Sequence, residues 1–133
     1  MVFDKFKKSH KEKEIPISRS DGSLFKLIIR QNSINPLDFS VILGYESSET
    51  HKTYRLKRYN GKSHRHKNKL EDNSFYGFHI HIASQRYQES KLEHEGFAEE
   101  TTSYSNIKDA LKCLVQDCNI RIKENPQLSL FDL

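Results

Sequence analysis

The chain has 133 residues, 35% of them apolar and 30% charged, with a formal net charge of +4. That length suits one domain and buries about two thirds of the unfolded surface, enough for a single core. There is no run of about 18 apolar residues, which excludes a membrane-spanning helix, and Met1-Val2-Phe3-Asp4-Lys5-Phe6 lacks the apolar stretch of a secretory signal.

Residues 1–14 are mostly charged, with only Val2, Phe3 and Phe6 apolar, and residues 1–18 read as an N-terminal arm. Ser20-Asp21-Gly22-Ser23 is turn chemistry. Leu24 to Arg30 then reads as a strand, broken at Asn35-Pro36. From Leu37 to Tyr45 the residues Leu37, Phe39, Val41, Leu43 and Tyr45 alternate with Asp38, Ser40, Ile42 and Gly44, the period of a strand with one apolar face. A third strand is expected over residues 52–59, with Tyr54 and Leu56 facing the core and Arg55, Lys57 and Tyr59 facing out. Asn60-Gly61 marks a turn, and residues 60–74 read as polar and irregular.

Phe75 to Ala83 reads as a strand, with Tyr76, Phe78, Ile80 and Ile82 on one face and His79 and His81 on the other. Gln85 to Gly96 is a loop or short helix, and Phe97 to Ser103 a weak strand. Asn106 has the character of a helix N-cap, with Asp109 at N3 near the positive helix end. Ile107, Ala110, Leu111, Leu114, Val115 and Cys118 form an apolar stripe at helical spacing, and the helix is expected to end near Asn119. Cys113 and Cys118 fall on different sides of that helix, which argues against a disulfide and for a reducing, cytoplasmic setting. The predicted architecture is α+β. An antiparallel sheet of four to five strands packs one face on one C-terminal helix, in a domain spanning residues 19–122 with a tail at 123–133.

The charge is unevenly spread. Between Lys52 and Lys69 there are eight Lys or Arg and no Asp or Glu, whereas Glu89 to Glu100 holds five Glu and one Lys. The basic half suits a polyanion. Arg55, Lys57, Arg58, Lys62, Arg65 and Lys67 would meet phosphates, and Tyr59 offers a flat face for stacking. The structural alternative is a solvated hairpin whose charges guard a sheet edge.

Two His-x-His pairs stand out, His64/His66 and His79/His81. On a strand the second pair shares a face about 6–7 Å apart at the α-carbons. A metal reading would recruit all four, with zinc the default ion. Against it, Arg65, Lys67 and Lys69 surround the first pair, and no acid stands at ligand spacing on the strand, so neither metal nor cofactor is expected. An acid–base reading would use His79, His81 and Arg86 on a phosphate, as in a metal-independent ribonuclease or phosphodiesterase. Two-histidine phosphoesterases carry two His-x-Thr or His-x-Ser motifs. Here the position two after His79 is His81, and no partner motif is present.

Gln127-Leu128-Ser129-Leu130-Phe131, after Asn125-Pro126, resembles the pentapeptide by which bacterial polymerases and repair proteins hold the replicative sliding clamp. The resemblance implies that Gln127 bonds main-chain groups of the clamp's cleft, Leu128 touches its wall, and Leu130 and Phe131 fill its apolar pocket, with Ser129 at the tolerant third position. Each buried Leu or Phe contributes about 1.5–3 kcal/mol, and ordering the peptide removes several, leaving a complex of about micromolar affinity. The alternative is that Leu128 and Leu130 form a last strand of the domain itself. Residues 52–120, through Tyr54 to Gly61, His64 to Asn68, Phe78 to Ala83 and Arg86-Tyr87-Gln88, are also similar to an uncharacterised bacterial domain. That resemblance implies a bacterial or phage origin and brings no activity. The expected function is an interaction protein with a clamp as partner, whose second sheet face, left open with Arg55, Lys57, Tyr59, His79 and His81, contacts nucleic acid or a phosphate ligand. The alternatives are a histidine-dependent nuclease or a defence or counter-defence protein that binds another protein.

Overall fold

The computed structural model describes residues 5–6, 10–92 and 96–121. The chain is α+β, with a wide antiparallel sheet and a helix packed on it, as the alternation predicted. In chain order the elements are β1 (Lys5–Phe6), β2 (His10–Ser18), β3 (Leu24–Asn32), β4 (Phe39–Glu46), β5 (Thr53–Asn60), β6 (His66–Asn68), β7 (Asn73–Phe75), β8 (His79–Ile82), α1 (Gln85–Glu89), β9 (Ala98–Glu100) and α2 (Ile107–Asp117). Seven strands form the main sheet in the order β1-β2-β3-β4-β5-β8-β9, and β6 and β7 pair as a separate hairpin.

The sheet is wider than the four or five strands expected, because the segment read as an arm contributes to it. Residues 10–18 pair along their whole length with β3, from His10 opposite Asn32 to Ser18 opposite Leu24. Ile15 and Ile17 reach the core, while Glu14 pairs with Lys26 and Glu12 with Arg30 on the opposite face. A strand that alternates charged and β-branched residues satisfies both faces, yet in isolation it reads as a polar arm.

Helix α2 begins as its sequence dictates. The Asn106 side chain accepts the Asp109 amide at 2.8 Å, and Cys118 closes the helix before Asn119 turns to φ +53°. Its apolar stripe buries Ile107, Ala110, Leu111 and Leu114 against Leu27, Ile29, Phe39, Val41 and Tyr59 of the sheet, with Tyr104 beside them. Cys113 and Cys118 are both free thiols, and burial raises both pKa values.

Strand β5 corrects one expectation. Its ladder to β4 runs Val41–Tyr59, Ile42–Arg58 and Leu43–Lys57, then jumps to Gly44–Arg55 and Tyr45–Tyr54, so Leu56 has no residue opposite it. This bulge inserts one residue and reverses the alternation beyond it. Tyr54 and Arg55 keep the expected parity. Lys57 and Tyr59 swing to the helix side, and Tyr59 is fully buried there, its hydroxyl 2.5 Å from the Asp117 carboxylate of α2. Burial, then that carboxylate, raises the Tyr59 pKa. Tyr59 is therefore a core residue and not an exposed stacking platform, and the cations of β5 divide between two faces.

Candidate functional site

The face of β8 away from α2 is not open. Asn60 ends β5 and pairs with His79, and Arg58 pairs with His81, so these residues share that face. The chain then leaves β5 through Gly61, whose backbone lies so close to Leu37 that a Cβ would sit 1.8 Å from its carbonyl oxygen. Only glycine fits this approach. Residues 62–75 then fold back as the β6–β7 hairpin, which lays His66 over His79 and His81. The three rings form a triangle, with centroids 5.4 Å apart for His66–His79, 4.7 Å for His66–His81 and 5.0 Å for His79–His81. One ring nitrogen from each lies within 4.8 Å of the others. His79 is fully buried, His81 is 5% exposed, and His66 is half-buried.

Outer residues fix two of the rings. Asn68 exchanges two bonds with the main chain of Ala98: its Oδ1 accepts the Ala98 N–H at 2.8 Å and its Nδ2 donates to the Ala98 carbonyl at 2.7 Å. A backbone N–H only donates and a carbonyl only accepts, so the amide orientation is unambiguous. Asn68 thereby mimics a strand residue at the edge strand β9. The same Oδ1 lies 2.8 Å from His66 Nε2, so that nitrogen carries the proton and Nδ1 bears the lone pair. For His79, Nδ1 lies 2.9 Å from the Gly77 carbonyl and must donate to it, leaving Nε2 with the lone pair. Ser40 donates to Asn60 Oδ1 at 2.9 Å, which turns the Asn60 amide nitrogen towards His79 Nε2, 3.5 Å away. The Tyr104 hydroxyl, from the helix side, lies 2.8 Å from the Asn60 carbonyl and 3.0 Å from that of His79, tying the strand ends that carry both side chains.

Burial, opposed by the Gly77 bond and reinforced by His66, His64 and Arg58, lowers the His79 pKa to about 4. The imidazole is neutral at physiological pH, the state needed by a base or a ligand. His64 is exposed on the connecting loop, its ring 6.2 Å from that of His79 and its Nδ1 3.1 Å from the Ser63 hydroxyl. The sequence reading placed His79 and His81 on the face away from the helix, which is where they lie. It left His66 in an irregular basic loop, and a short strand instead brings it into the cluster.

The other singled-out residues are dispersed. Arg86 lies on α1, its guanidinium bonded to the Glu71 carboxylate and stacked near the rings of Tyr87 and Phe97, each 5.7 Å away. Tyr87 is buried and donates to Glu71 Oε1 at 2.5 Å, while its hydroxyl accepts the Leu70 N–H at 3.2 Å. These bonds tie α1 to the turn between β6 and β7. Arg86 thus serves the hairpin, and its partner is a carboxylate. Lys62, Arg65 and Lys67 are exposed on the hairpin and the loop leading to it, Lys62 lying over Phe78 and Lys67 3.3 Å from Asp72. Lys57 lies on the helix side, its ammonium 6.0 Å from the Tyr59 ring centroid. Gln127, Leu128, Ser129, Leu130 and Phe131 fall outside the described residues.

No protein-family model, curated protein or solved structure matches the chain. Fold and site alone define its class: an antiparallel α+β domain whose second sheet face holds a cluster of three histidines beneath a basic hairpin. Among the described residues no helix is long and apolar enough to cross a membrane.

Proposed function

We propose that the chain is a small interaction protein of the bacterial or phage-infected cytoplasm that docks on the DNA sliding clamp through Gln127 to Phe131 and touches nucleic acid with its basic hairpin. The observation that carries this reading is the ungapped Gln-Leu-Ser-Leu-Phe sequence itself. The exposure of Lys62, Arg65 and Lys67 on one short segment supports the second contact. Tyr59, buried in the core, takes no part in that contact.

The alternative, in which Leu128 and Leu130 pack on the domain itself, has a surface to receive them. A cleft of about 450 Å³, lined by Ile17, Phe25, Leu43, Cys118 and Ile120 among others, opens beside Arg121, the last described residue. The double substitution Leu130→Ala with Phe131→Ala separates the two. The docking reading expects purified bacterial clamp to bind the full chain at about micromolar affinity. The double variant then loses that binding and keeps its melting temperature. Unchanged clamp binding, or a lower melting temperature in the variant, would overturn it. A second reading, a histidine-dependent phosphodiesterase, is favoured by the neutral His79 beside His81 and His66. It requires metal-free cleavage of RNA by the pure chain that His81→Ala abolishes.

A further inference from the structure

We propose that His66, His79 and His81 bind one divalent transition-metal ion, with zinc the expected species, and that the ion pins the β6–β7 hairpin to β8. The proposal stands independently of the clamp reading. Three imidazole nitrogens from two separate sheets converge within 4.8 Å of one another. A tetrahedral ion with nitrogens at about 2.0–2.1 Å would hold them about 3.3 Å apart, so a small inward movement of the hairpin with ring rotation of His79 and His81 completes the site. The donor set consists of nitrogens, which suits zinc, copper or nickel and not magnesium or calcium.

The hydrogen bonds around the rings are those of a ligand shell. A metal-bound histidine presents one nitrogen to the ion and donates its other N–H to a carbonyl or similar acceptor. His79 donates Nδ1–H to the Gly77 carbonyl, and His66 donates Nε2–H to Asn68 Oδ1. The lone pairs that would meet the ion are therefore those on His66 Nδ1 and on His79 Nε2, the latter exchanging its long 3.5 Å contact with the Asn60 amide for the metal. Asn68 is itself held by both main-chain groups of Ala98, so the support for His66 runs through to the edge strand. Two of the three rings are buried, which shields an ion held among them from bulk water. Arg58 faces His81 across the strand pair and opposes a dication, which weakens the site without altering its donors. Three protein ligands leave a fourth position for water or for His64 on the neighbouring loop.

The test uses the full chain, stripped with chelator and titrated with zinc chloride and with cobalt(II). One equivalent is expected to bind, with the intense visible absorption of four-coordinate cobalt(II) and a higher melting temperature. His66→Ala should abolish binding, Asn68→Ala should weaken it about 10–100-fold, and His51→Ala, at an exposed turn, should leave it unchanged. In the unsubstituted chain, imidazole nitrogen resonances of His79 Nε2 and His66 Nδ1 should shift on saturation, a readout that does not depend on any variant folding. The proposal is overturned if no stoichiometric ion binds, if His66→Ala binds as tightly as the natural chain, or if the shifts fall on His10 or His51.

Discussion

The two faces of the sheet are built from the same strands but by different physics. On one, Leu27, Ile29, Val41 and Tyr59 meet the stripe of α2, and the driving force is removal of apolar surface from water. On the other, the polar His79, His81, Asn60 and Asn68 are buried beside Ile42 and Ala98, and the hairpin above them is held by amides and by the Tyr87–Glu71 bond. Apolar burial stabilises whatever its detailed geometry. Polar burial stabilises little and demands that each donor and acceptor find a partner. The first face accounts for why the chain folds. The second is a place where stability has been given up, and such places invite a functional explanation.

Substitutions that separate the faces sharpen this contrast. Leu111→Ala removes a fully buried side chain beneath the sheet and should cost about 2–5 kcal/mol, measured by urea denaturation. Asn68→Ala removes both bonds to Ala98 and the support of His66, and should cost about 1–3 kcal/mol. Hydrogen exchange should then localise the loosening to β6, β7 and β9 while the amides of β3 and β4 stay protected; a uniform loss would mean that the two faces are one cooperative unit. Tyr59→Phe keeps the ring and deletes the bond to Asp117, and about 1 kcal/mol is expected because that carboxylate is exposed. The raised Tyr59 pKa gives this pair a pH signature. In the unfolded chain the phenol ionises near its ordinary value of about 10, so stability falls as pH rises through that value. The fall should be smaller in Tyr59→Phe, as melting curves between neutral and alkaline pH would show. Arg65→Gln should change stability least, within about 0.5 kcal/mol for an exposed side chain. If the hairpin meets phosphates, the salt dependence of nucleic-acid binding should flatten by about one contact.

Much of the first face was legible because its signals are local. The alternation of Phe39, Val41, Leu43 and Tyr45 and the cap-and-stripe pattern from Asn106 to Leu114 are fixed within a few residues, and both appear where expected. Residues 10–18 were misjudged because a strand that carries Glu12 and Glu14 on one face and Ile15 and Ile17 on the other contains too few apolar residues to stand out. Tyr59 was misplaced because the bulge at Leu56 breaks the period, and the glycine beside it, Gly44, lies on the opposing strand.

The sequence by itself determined the class of the fold, the helix and its ends, the strand face that would become core, and the parity that sets His79 and His81 together away from the helix. These follow from backbone periodicity and from capping, which act over a few residues. Only the tertiary structure decided that His66 joins them, that Asn68 holds His66 by way of Ala98, and that Tyr59 lies inside. Those outcomes depend on how a hairpin folds back over a strand beyond it in the chain and on where one extra residue is absorbed in a ladder. The free energy of such closures is set by the whole sheet, and no local pattern encodes it.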